Sequence, residues 1–355
     1  MMRTVVAKFG GTSVATDESR AHAIAHIRKL RDEGYAVVAV VSAMGRKGQP
    51  YATDTLLSLL SGKCALQTTD LLISCGETIS ACVMADQLEQ AGIPAVPMNG
   101  QTAGILTDGI FSNADIRGMN TKTVHAVLAS GAVPVITGFQ GETPEGEVAT
   151  LGRGGSDTSA VEIGGYLRAE KVLIYTDVPG IAVADPRIVP KAAYLNSISY
   201  RDMISLARWG AKVIHPRAVQ AGERHNIPVW VLSTFEDEAG TQITDNIPEF
   251  YGLLGIAALK HCKIGGEKGV LWLAGNAVSP DADGTDTVIT ALFRNIPRQT
   301  LEKTYVGNGF YVEAVDRDTT VIHMVVSEEE TTKRIHQIHS DWCEEAQNTL
   351  LAPLV

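Results

Sequence analysis

Short apolar segments alternate with helix-like segments through roughly the first 245 residues, and this alternation limits the possible folds more than any other feature of the chain. Residues 3–8 and 36–42 are short, rich in β-branched side chains and bounded by glycine or polar positions, which is typical of buried strands. Between them, residues 17–33 carry apolar side chains at helical spacing behind Asp17, a candidate N-cap. Because strand and helix keep alternating, we predict a mainly parallel sheet with helices on both of its faces.

Further elements follow in the same rhythm. The pattern predicts helices at about 67–90, 119–129, 156–167, 200–207 and 216–224, and strands at about 95–99, 132–137, 171–176 and 228–233. The polar residues 236–248 include Gly240 and Pro248 and indicate a linker. We therefore predict one domain at residues 1–244 and a second domain at residues 250–355.

The chain after the linker has a different rhythm. Strand-like segments at 252–259, 270–274, 309–315 and 320–326 alternate with predicted helices at about 285–294 and 328–346. This pattern is typical of an α+β unit, for which we expect an antiparallel sheet with helices on one face.

Charge and hydropathy exclude several classes of function. The net charge is −10 and no stripe of Lys and Arg is present, which argues against nucleic acid as a partner. Apolar runs such as residues 36–41 are far shorter than the ~20 residues that span a bilayer, and residues 1–6 lack the apolar core of a signal peptide. We expect a cytoplasmic protein with no membrane partner, whose five cysteines are reduced thiols.

The first cluster with chemical character is Lys8-Phe-Gly-Gly-Thr-Ser-Val14, directly after the first predicted strand. Two glycines let the backbone turn tightly and approach an anion, and the following helix would aim N–H groups at the same place. Lys8 lies at the end of the strand where ligands meet α/β sheets. A plain turn with a solvated lysine explains these residues equally well.

The second cluster is Thr150-Leu-Gly-Arg-Gly-Gly-Ser-Asp157, again at the start of a predicted helix. Arg153 has the planar fork of donors that binds a carboxylate, and Asp157 could coordinate Mg²⁺ or orient an acceptor. A glycine-rich surface loop is the alternative, although a structural turn needs fewer glycines.

Two weaker clusters follow. In the segment from Thr176 to Arg187, Thr176 and Asp177 are placed to meet adenine or ribose, and Arg187 to meet a phosphate. Lys212 follows a predicted helix and could also support a nucleotide. Simple turn chemistry and a solvated lysine remain open for these residues.

Together the motifs resemble those of aspartate kinases of the amino-acid-kinase family, in the same order along residues 3–244. The resemblance is carried by Lys8-Phe-Gly-Gly, Gly76-Glu-Thr-Ile-Ser80, Gly152-Arg-Gly-Gly-Ser-Asp157 and Gly210-Ala-Lys-Val213, and residues 42–54 are most similar to Bacillus-type members. It implies a three-layer α/β fold with a mainly parallel eight-stranded sheet, followed by a small ACT-like α+β domain. Residues 250–355 are too few for the two ACT domains that such enzymes usually carry, so we expect a reduced version.

The resemblance also implies roles for individual residues. Lys8, Arg153 and Asp157 would be catalytic. Mg²⁺ would be carried by ATP, and Asp157 is a candidate ligand for it. The ATP phosphates would be held by Lys8, Gly10, Gly11 and Ser13; aspartate by Ser42, Thr53, Glu77, Arg153 and Ser156; and the rest of the nucleotide by Thr176, Asp177, Asp185, Arg187, Lys212 and Val213.

The implied activity is ATP-dependent phosphorylation of the β-carboxylate of L-aspartate, the first step toward lysine, threonine, methionine and diaminopimelate. An amino-acid effector and a homodimer or higher homo-oligomer are further expectations from the resemblance. Two alternatives stay open at this point: a kinase of a related amino-acid carboxylate in a specialised pathway, and a non-catalytic regulatory paralogue.

Overall fold

The computed structural model describes residues 3–237, 239–262, 286–306 and 310–346. In chain order the elements are β1 (Thr4–Phe9), α1 (Asp17–Asp32), β2 (Ala36–Val41), α2 (Thr53–Leu57), α3 (Leu66–Gln90), β3 (Ala95–Met98), β4 (Ile105–Thr107), β5 (Ile116–Met119), α4 (Lys122–Ala129), β6 (Val133–Thr137), β7 (Gln140–Glu142), β8 (Val148–Thr150), α5 (Gly155–Tyr166), β9 (Lys171–Thr176), β10 (Ser197–Ile198), α6 (Tyr200–Arg208), α7 (Pro216–His225), β11 (Val229–Ser233), β12 (Thr241–Ile243), β13 (Gly252–Cys262), β14 (Asp286–Arg294), α8 (Arg298–Tyr305), β15 (Tyr311–Ala314), β16 (Thr319–Ser327) and α9 (Glu328–Ala346).

Two compact units divide the chain. The first holds Met1–Gly180 and Ile214–Asp245, and the second holds Ile181–Val213 and Asn246–Val355. Residues 181–213 therefore group with the C-terminal segment, although they precede residue 244. The predicted functional domains at 1–244 and 250–355 stay a prediction, because these two units are defined by contacts within the chain and not by function.

The first unit is built on a large parallel sheet. It contributes seven strands to an eight-stranded sheet, in the order β12-β11-β9-β1-β2-β6-β3. The pairs from β11 to β3 are parallel, and β12 alone of these seven runs antiparallel, against β11. The predicted mainly parallel eight-stranded sheet is confirmed. The predicted linker 236–248, however, contains β12, so part of it belongs to the sheet.

Helices cover both faces of this sheet, as predicted. Alternate strand residues such as Val5 and Ala39 pack with Ile27 of α1 and Met84 of α3 in one core cluster. On the other face, α5 approaches so closely that a Cβ at Gly164 would lie 2.5 Å from Val172 Cγ2. The unit also contains a small sheet, β5-β4-β7-β8, which the sequence did not predict.

The second unit carries a four-stranded antiparallel sheet in the order β13-β14-β16-β15. Helices α8 and α9 share one face, where the Phe293 ring lies 6.5 Å from Tyr305 and 4.9 Å from Trp342. The antiparallel sheet and its helices confirm the predicted α+β character. The other face is covered by α6, whose Leu206 would lie 2.8 Å from a Cβ at Gly255.

One predicted helix in this unit is wrong. Residues 285–294 were expected to be helical, but Asp286–Arg294 forms β14 between β13 and β16. The central position buries its residues on both faces of the sheet, so no alternation of polar and apolar residues indicated a strand. The predicted strand 270–274 lies outside the described residues, and the predicted helix 119–129 begins only at Lys122 because Ile116–Met119 forms β5.

Helix α3 is long and apolar enough to span a membrane, but half of its apolar stretch is buried inside the protein. Its buried residues include the carboxylates Asp70 and Glu77, which favours a core helix. Asp70 is fully buried and accepts four hydrogen bonds from two residues. Its Oδ2 accepts from Ser112 N and Thr150 N, both at 2.7 Å, and its Oδ1 accepts from their hydroxyls at 2.7 and 3.0 Å.

We predict that Asp70→Ala lowers the free energy of unfolding by about 3–4 kcal/mol, because it leaves buried donors unpaired. Urea denaturation followed by circular dichroism measures this change. Asp86→Ala on the exposed face of the same helix is the control, and it should stay within about 0.5 kcal/mol of wild type. Equal effects of the two substitutions would contradict a structural role for Asp70.

Candidate active site

Lys8 joins the two glycine-rich motifs. It lies near the end of β1 and is only 7% exposed. Its Nζ is 2.6 Å from Oδ1 of Asp157, in the first turn of α5. The end of strand β1 and the start of helix α5, which are distant in sequence, therefore meet at one ion pair.

The loop after β1 packs directly against the backbone of the loop after β2. A Cβ at Gly11 would lie 2.7 Å from the carbonyl oxygen of Gly45 and 2.9 Å from that of Ala43, so only glycine fits. A Cβ at Gly10 would lie 3.5 Å from Lys8 Nζ. Gly11 thus allows the two loops to pack backbone against backbone, and Gly10 brings the main chain close to the lysine.

The N-terminus of α5 is also built from glycines. Gly152 and Gly154 have φ angles of +72° and +69°, a conformation that favours glycine. Gly154 is the N-cap residue, and no side chain caps this end of the helix. Gly155 N donates to Gly152 O at 3.1 Å. The next two N–H groups of α5, those of Ser156 and Asp157, have no partner in the described structure and are available for an anion next to Lys8.

Glu77 is the most perturbed acid of this unit. It is 2% exposed, its Oε1 accepts a hydrogen bond of 3.1 Å from Ala43 N, and its Oε2 has no hydrogen-bond partner within the described ranges. Burial raises the pKa of Glu77 to about 8. A buried carboxylate with one oxygen unpaired can bind a cation such as an ammonium group.

The other residues predicted to bind aspartate lie after β2, at the start of α2, and in and just before the first turn of α5. Ser42 follows β2 and donates its backbone N–H to Phe9 O at 3.1 Å, and Thr53 begins α2. Ser156 lies in the first turn of α5 and packs against Gly138, where an added Cβ would be 2.8 Å from the Ser156 Cβ. Arg153 is exposed, and in the part of the chain that the structure describes its guanidinium has neither an ion pair nor a hydrogen bond. Its positive charge is therefore free to meet a ligand.

Ser13, which was predicted to hold a phosphate, has a protein partner that the sequence did not indicate. It is fully buried, and its Oγ lies 2.6 Å from Oγ1 of Thr234, in a hydrogen bond that either hydroxyl can donate. A hydroxyl has capacity beyond one hydrogen bond, so the phosphate contact of Ser13 stays a prediction.

The predicted nucleotide residues fall into two groups. In the first unit, Thr176 ends β9 and donates from Oγ1 to Oδ1 of Asp177 at 3.1 Å. The other carboxylate oxygen of Asp177 pairs with Arg46, a residue that was not predicted although it stands in the Bacillus-like segment 42–54. Arg46 adds a positive charge to this group.

The second group lies in the second unit. Arg187 donates from its guanidinium to Asp185 Oδ2 at 2.6 Å, and this pairing lowers the pKa of the Asp185 carboxyl. Arg187 is thus engaged locally rather than free. Lys212 is exposed and Val213 is half-buried.

Helix α7 supports the glycine-rich loop through residues that the sequence reasoning missed. His215 caps α7, and a Cβ at Gly154 would lie 2.2 Å from its Cβ. Burial lowers the pKa of His215. Arg217 donates to the carbonyl oxygens of Leu151 and Ala114, both at 2.5 Å. The only sequence indication was their position directly after the Gly-Ala-Lys-Val motif.

Asp157 is the predicted ligand for the Mg²⁺ that accompanies a nucleotide. Across the described residues, no group of three or more His, Cys, Asp or Glu could hold a metal ion. Asp157 Oδ1 is buried beside Lys8 and makes no aligned hydrogen bond. A single carboxylate fits Mg²⁺, which keeps several waters and takes its remaining ligands from phosphates.

Comparisons with known proteins agree with this arrangement. A sequence model of the amino acid kinase family matches residues 3–233. Aspartokinase 1 of Bacillus subtilis (strain 168) is 46% identical over 248 residues, covering 69% of this chain and 61% of that relative. The crystal structure of E. coli aspartokinase III in complex with aspartate and ADP has a TM-score of 0.75 and 20% identity, covering 95% of this chain and 99% of that one. The same enzyme in complex with lysine and aspartate has a TM-score of 0.71 at 20% identity, with the same coverage.

The chain spans about three fifths of the length of the curated relatives it matches. The likeness to the E. coli structures, at 20% identity, shows the fold alone.

We predict that Glu77 makes the free energy of unfolding decrease as the pH rises. Its folded pKa of about 8 exceeds its ordinary value of 4.5, so the folded state keeps a proton that the unfolded chain has lost. The free energy of unfolding should therefore decrease between about pH 4.5 and 8, by up to ~1.4 kcal/mol per pH unit from this group. Urea unfolding at several pH values between about pH 5 and 8 measures the free energy of unfolding at each pH and hence the slope.

Glu77→Gln should flatten this slope, because glutamine does not titrate. Glu89→Gln, on the exposed surface of the same helix, serves as the control and should keep the slope of the wild-type protein. A constant difference in stability between Glu77→Gln and wild type across this pH range would show that Glu77 titrates normally.

Proposed function

The chain belongs to the amino acid kinase family, and on this premise we propose that it is an aspartate kinase that phosphorylates the β-carboxylate of L-aspartate with ATP. The observation that carries the proposal is the buried ion pair of 2.6 Å between Lys8 and Asp157. It joins a phosphate-binding type of turn to the helix that begins just after Arg153. The 46% identity to a Bacillus aspartokinase supports aspartate as the acceptor.

The ATP phosphates would bind where β1 and α5 meet. Lys8 would supply a positive charge, the glycine-rich backbone after β1 would lie beside the phosphates, and the N-terminus of α5 would supply N–H groups. The Mg²⁺ that accompanies ATP would be held by Asp157 and would neutralise phosphate charge when bound.

Aspartate would be oriented by charges at both ends of its amino-acid group. Its α-ammonium would meet Oε2 of Glu77, which has no partner among the described residues. The Glu77 carboxyl would then release its proton to solvent, and the ammonium group would compensate the negative charge of the carboxylate. Its α-carboxylate would meet the free guanidinium of Arg153 in a bidentate contact. With both groups held, the β-carboxylate is the part left to face the nucleotide.

The chemical step requires alignment more than proton transfer. An oxygen of the β-carboxylate forms a bond to the γ-phosphorus while the bond from that phosphorus to the bridging oxygen of ADP breaks, which gives 4-phospho-L-aspartate and ADP. The carboxylate is already ionised at pH 7, so no general base is needed. The obstacle is repulsion between two anions, which Lys8 and the N–H groups of α5 would offset.

We extend the proposal to the setting of the enzyme. The acyl phosphate would enter the synthesis of lysine, threonine, methionine or diaminopimelate, and an amino acid would act as effector. Support for an effector is the E. coli aspartokinase III structure in complex with lysine. A homodimer or a higher homo-oligomer in the cytoplasm remains part of the proposal.

We predict that Lys8→Ala or Arg153→Ala lowers kcat/KM for aspartate phosphorylation by at least ~10²–10³, since each removes a charge aimed at a reacting anion. Coupled detection of ADP measures the rate. Lys122→Ala, which removes an exposed lysine at the start of α4, should keep the wild-type rate. If Lys8→Ala retained most of the activity, the phosphate-binding role of Lys8 would be excluded.

The acceptor is tested with a panel of amino acids and hydroxylamine, which traps an acyl phosphate as a coloured hydroxamate. We expect a product with L-aspartate and much less with L-glutamate, D-aspartate or N-acetylaspartate. Product with another acid but not with L-aspartate would reassign the substrate. The absence of product with every acid, despite ATP binding, would favour a non-catalytic regulatory paralogue.

A further inference from the structure

We infer that the ion pair between the buried carboxylate of Asp202 and Arg294 positions residues 181–213, a segment predicted to contact the nucleotide, on the C-terminal sheet and thereby sets the affinity for ATP. This inference rests on the proposed function and on the expectation that Asp185, Arg187, Lys212 and Val213 contact the nucleotide. Asp202 and Arg294 are positioning residues in this proposal, and neither is expected to touch ATP.

The ion pair lies where the start of α6 meets the sheet. Asp202 is 2% exposed, and its Oδ2 is 2.5 Å from a guanidinium nitrogen of Arg294, at the end of β14. Its Oδ1 accepts a hydrogen bond of 3.1 Å from Thr319 Oγ1 at the start of β16, and the Ser199 hydroxyl donates to Oδ2 at 2.7 Å. A buried carboxylate with these partners cannot leave them without becoming an uncompensated charge. The start of α6 is therefore tied to β14 and β16.

The other end of α6 is tied to the same sheet. The Trp209 ring lies 4.5 Å from the ring of His323 in β16. Gly210 has a φ of +109°, and a Cβ there would lie 2.7 Å from the carbonyl oxygen of Ala258 in β13. Lys212 follows two residues later, so its backbone position depends on this close contact.

The beginning of the segment lies along the edge of the sheet. β13 is an outer strand of the four-stranded sheet, and Ile256 N in β13 donates to Val183 O at 2.6 Å. Edge strands expose unpaired backbone groups, and Val183 satisfies one of them. Asp185 and its partner Arg187 come directly after this hydrogen bond.

Both ends of the segment thus combine a contact to the sheet with residues predicted to bind the nucleotide. Asp185 and Arg187 follow the Val183 contact, and Lys212 and Val213 follow the Gly210 contact. The residues predicted to bind aspartate belong to the first unit instead. Loosening the Asp202 ion pair should therefore weaken ATP binding and leave aspartate binding unchanged.

The test is Arg294→Gln in the full chain, assayed for KM of both substrates and for ATP affinity by calorimetry. We expect KM and Kd for ATP to rise about tenfold or more, within the usual range of coupling between distinct positions. KM for aspartate and kcat at saturating ATP should stay within about twofold of wild type, since the contacts made in the transition state are intact. Arg294→Lys keeps the charge and should recover most of the ATP affinity.

The matched control is Arg298→Gln, which makes the same charge change in α8, where the exposed guanidinium pairs only with Glu302 among the described residues. It should leave both KM values unchanged. If Arg294→Gln does not fold, Thr319→Val serves in its place, because it removes one hydrogen bond to Asp202 at nearly constant shape and should raise Kd for ATP in the same direction.

Three outcomes separate this inference from the proposed function. Wild-type ATP affinity in a folded Arg294→Gln or Thr319→Val protein would overturn the inference while leaving the kinase assignment intact. A parallel rise in KM for ATP and for aspartate would also overturn it, because that pattern indicates general destabilisation. If the wild-type protein binds ATP but phosphorylates no aspartate, the proposed function fails, and the calorimetric comparison still decides the inference.

Discussion

The arrangement of the first unit depends on one buried ion pair, between Lys8 at the end of a parallel strand and Asp157 at the start of a helix. Burying the Lys8 charge without a partner would be strongly unfavourable, so the ion pair favours a fold in which the two glycine-rich turns lie together. Glycine makes this approach possible, because a Cβ at Gly11 would collide with the neighbouring loop. The same pair places Lys8 next to the N-terminus of α5 at the sheet edge, an arrangement that suits an anion.

Helix α3 carries two buried carboxylates with opposite characters. Asp70 accepts four hydrogen bonds and has no unsatisfied oxygen, as expected of a residue that holds elements together. Glu77, on the same side of the helix two turns later, has one oxygen without a partner in the described structure and a raised pKa. A buried group left half-satisfied costs stability, and such costs concentrate at functional sites. The contrast distinguishes the structural acid from the one that would bind substrate.

The second unit shows that order along the chain and grouping in space differ. Residues 181–213 precede the last strands of the large sheet, yet they pack with the C-terminal sheet through α6. Strand alternation explains how this is possible, because Phe293 faces α8 and α9 while the next residue, Arg294, faces α6. One sheet therefore supports both its own helices and a segment expected to contact the nucleotide.

The sequence by itself determined the elements with a strong local pattern and the motifs at their ends. The strand β1, the long helix α3 and the helix α9 follow from apolar spacing, and Lys8, Glu77 and Arg153 were identified from motifs and from the family resemblance. Only the tertiary structure decided the remaining features. It showed β14 as a strand, because a strand buried on both faces has no alternation to reveal it. It also showed the partners Thr234 for Ser13, Arg46 for Asp177 and Arg294 for Asp202, because contacts between distant segments depend on how elements pack and leave no local trace in the chain.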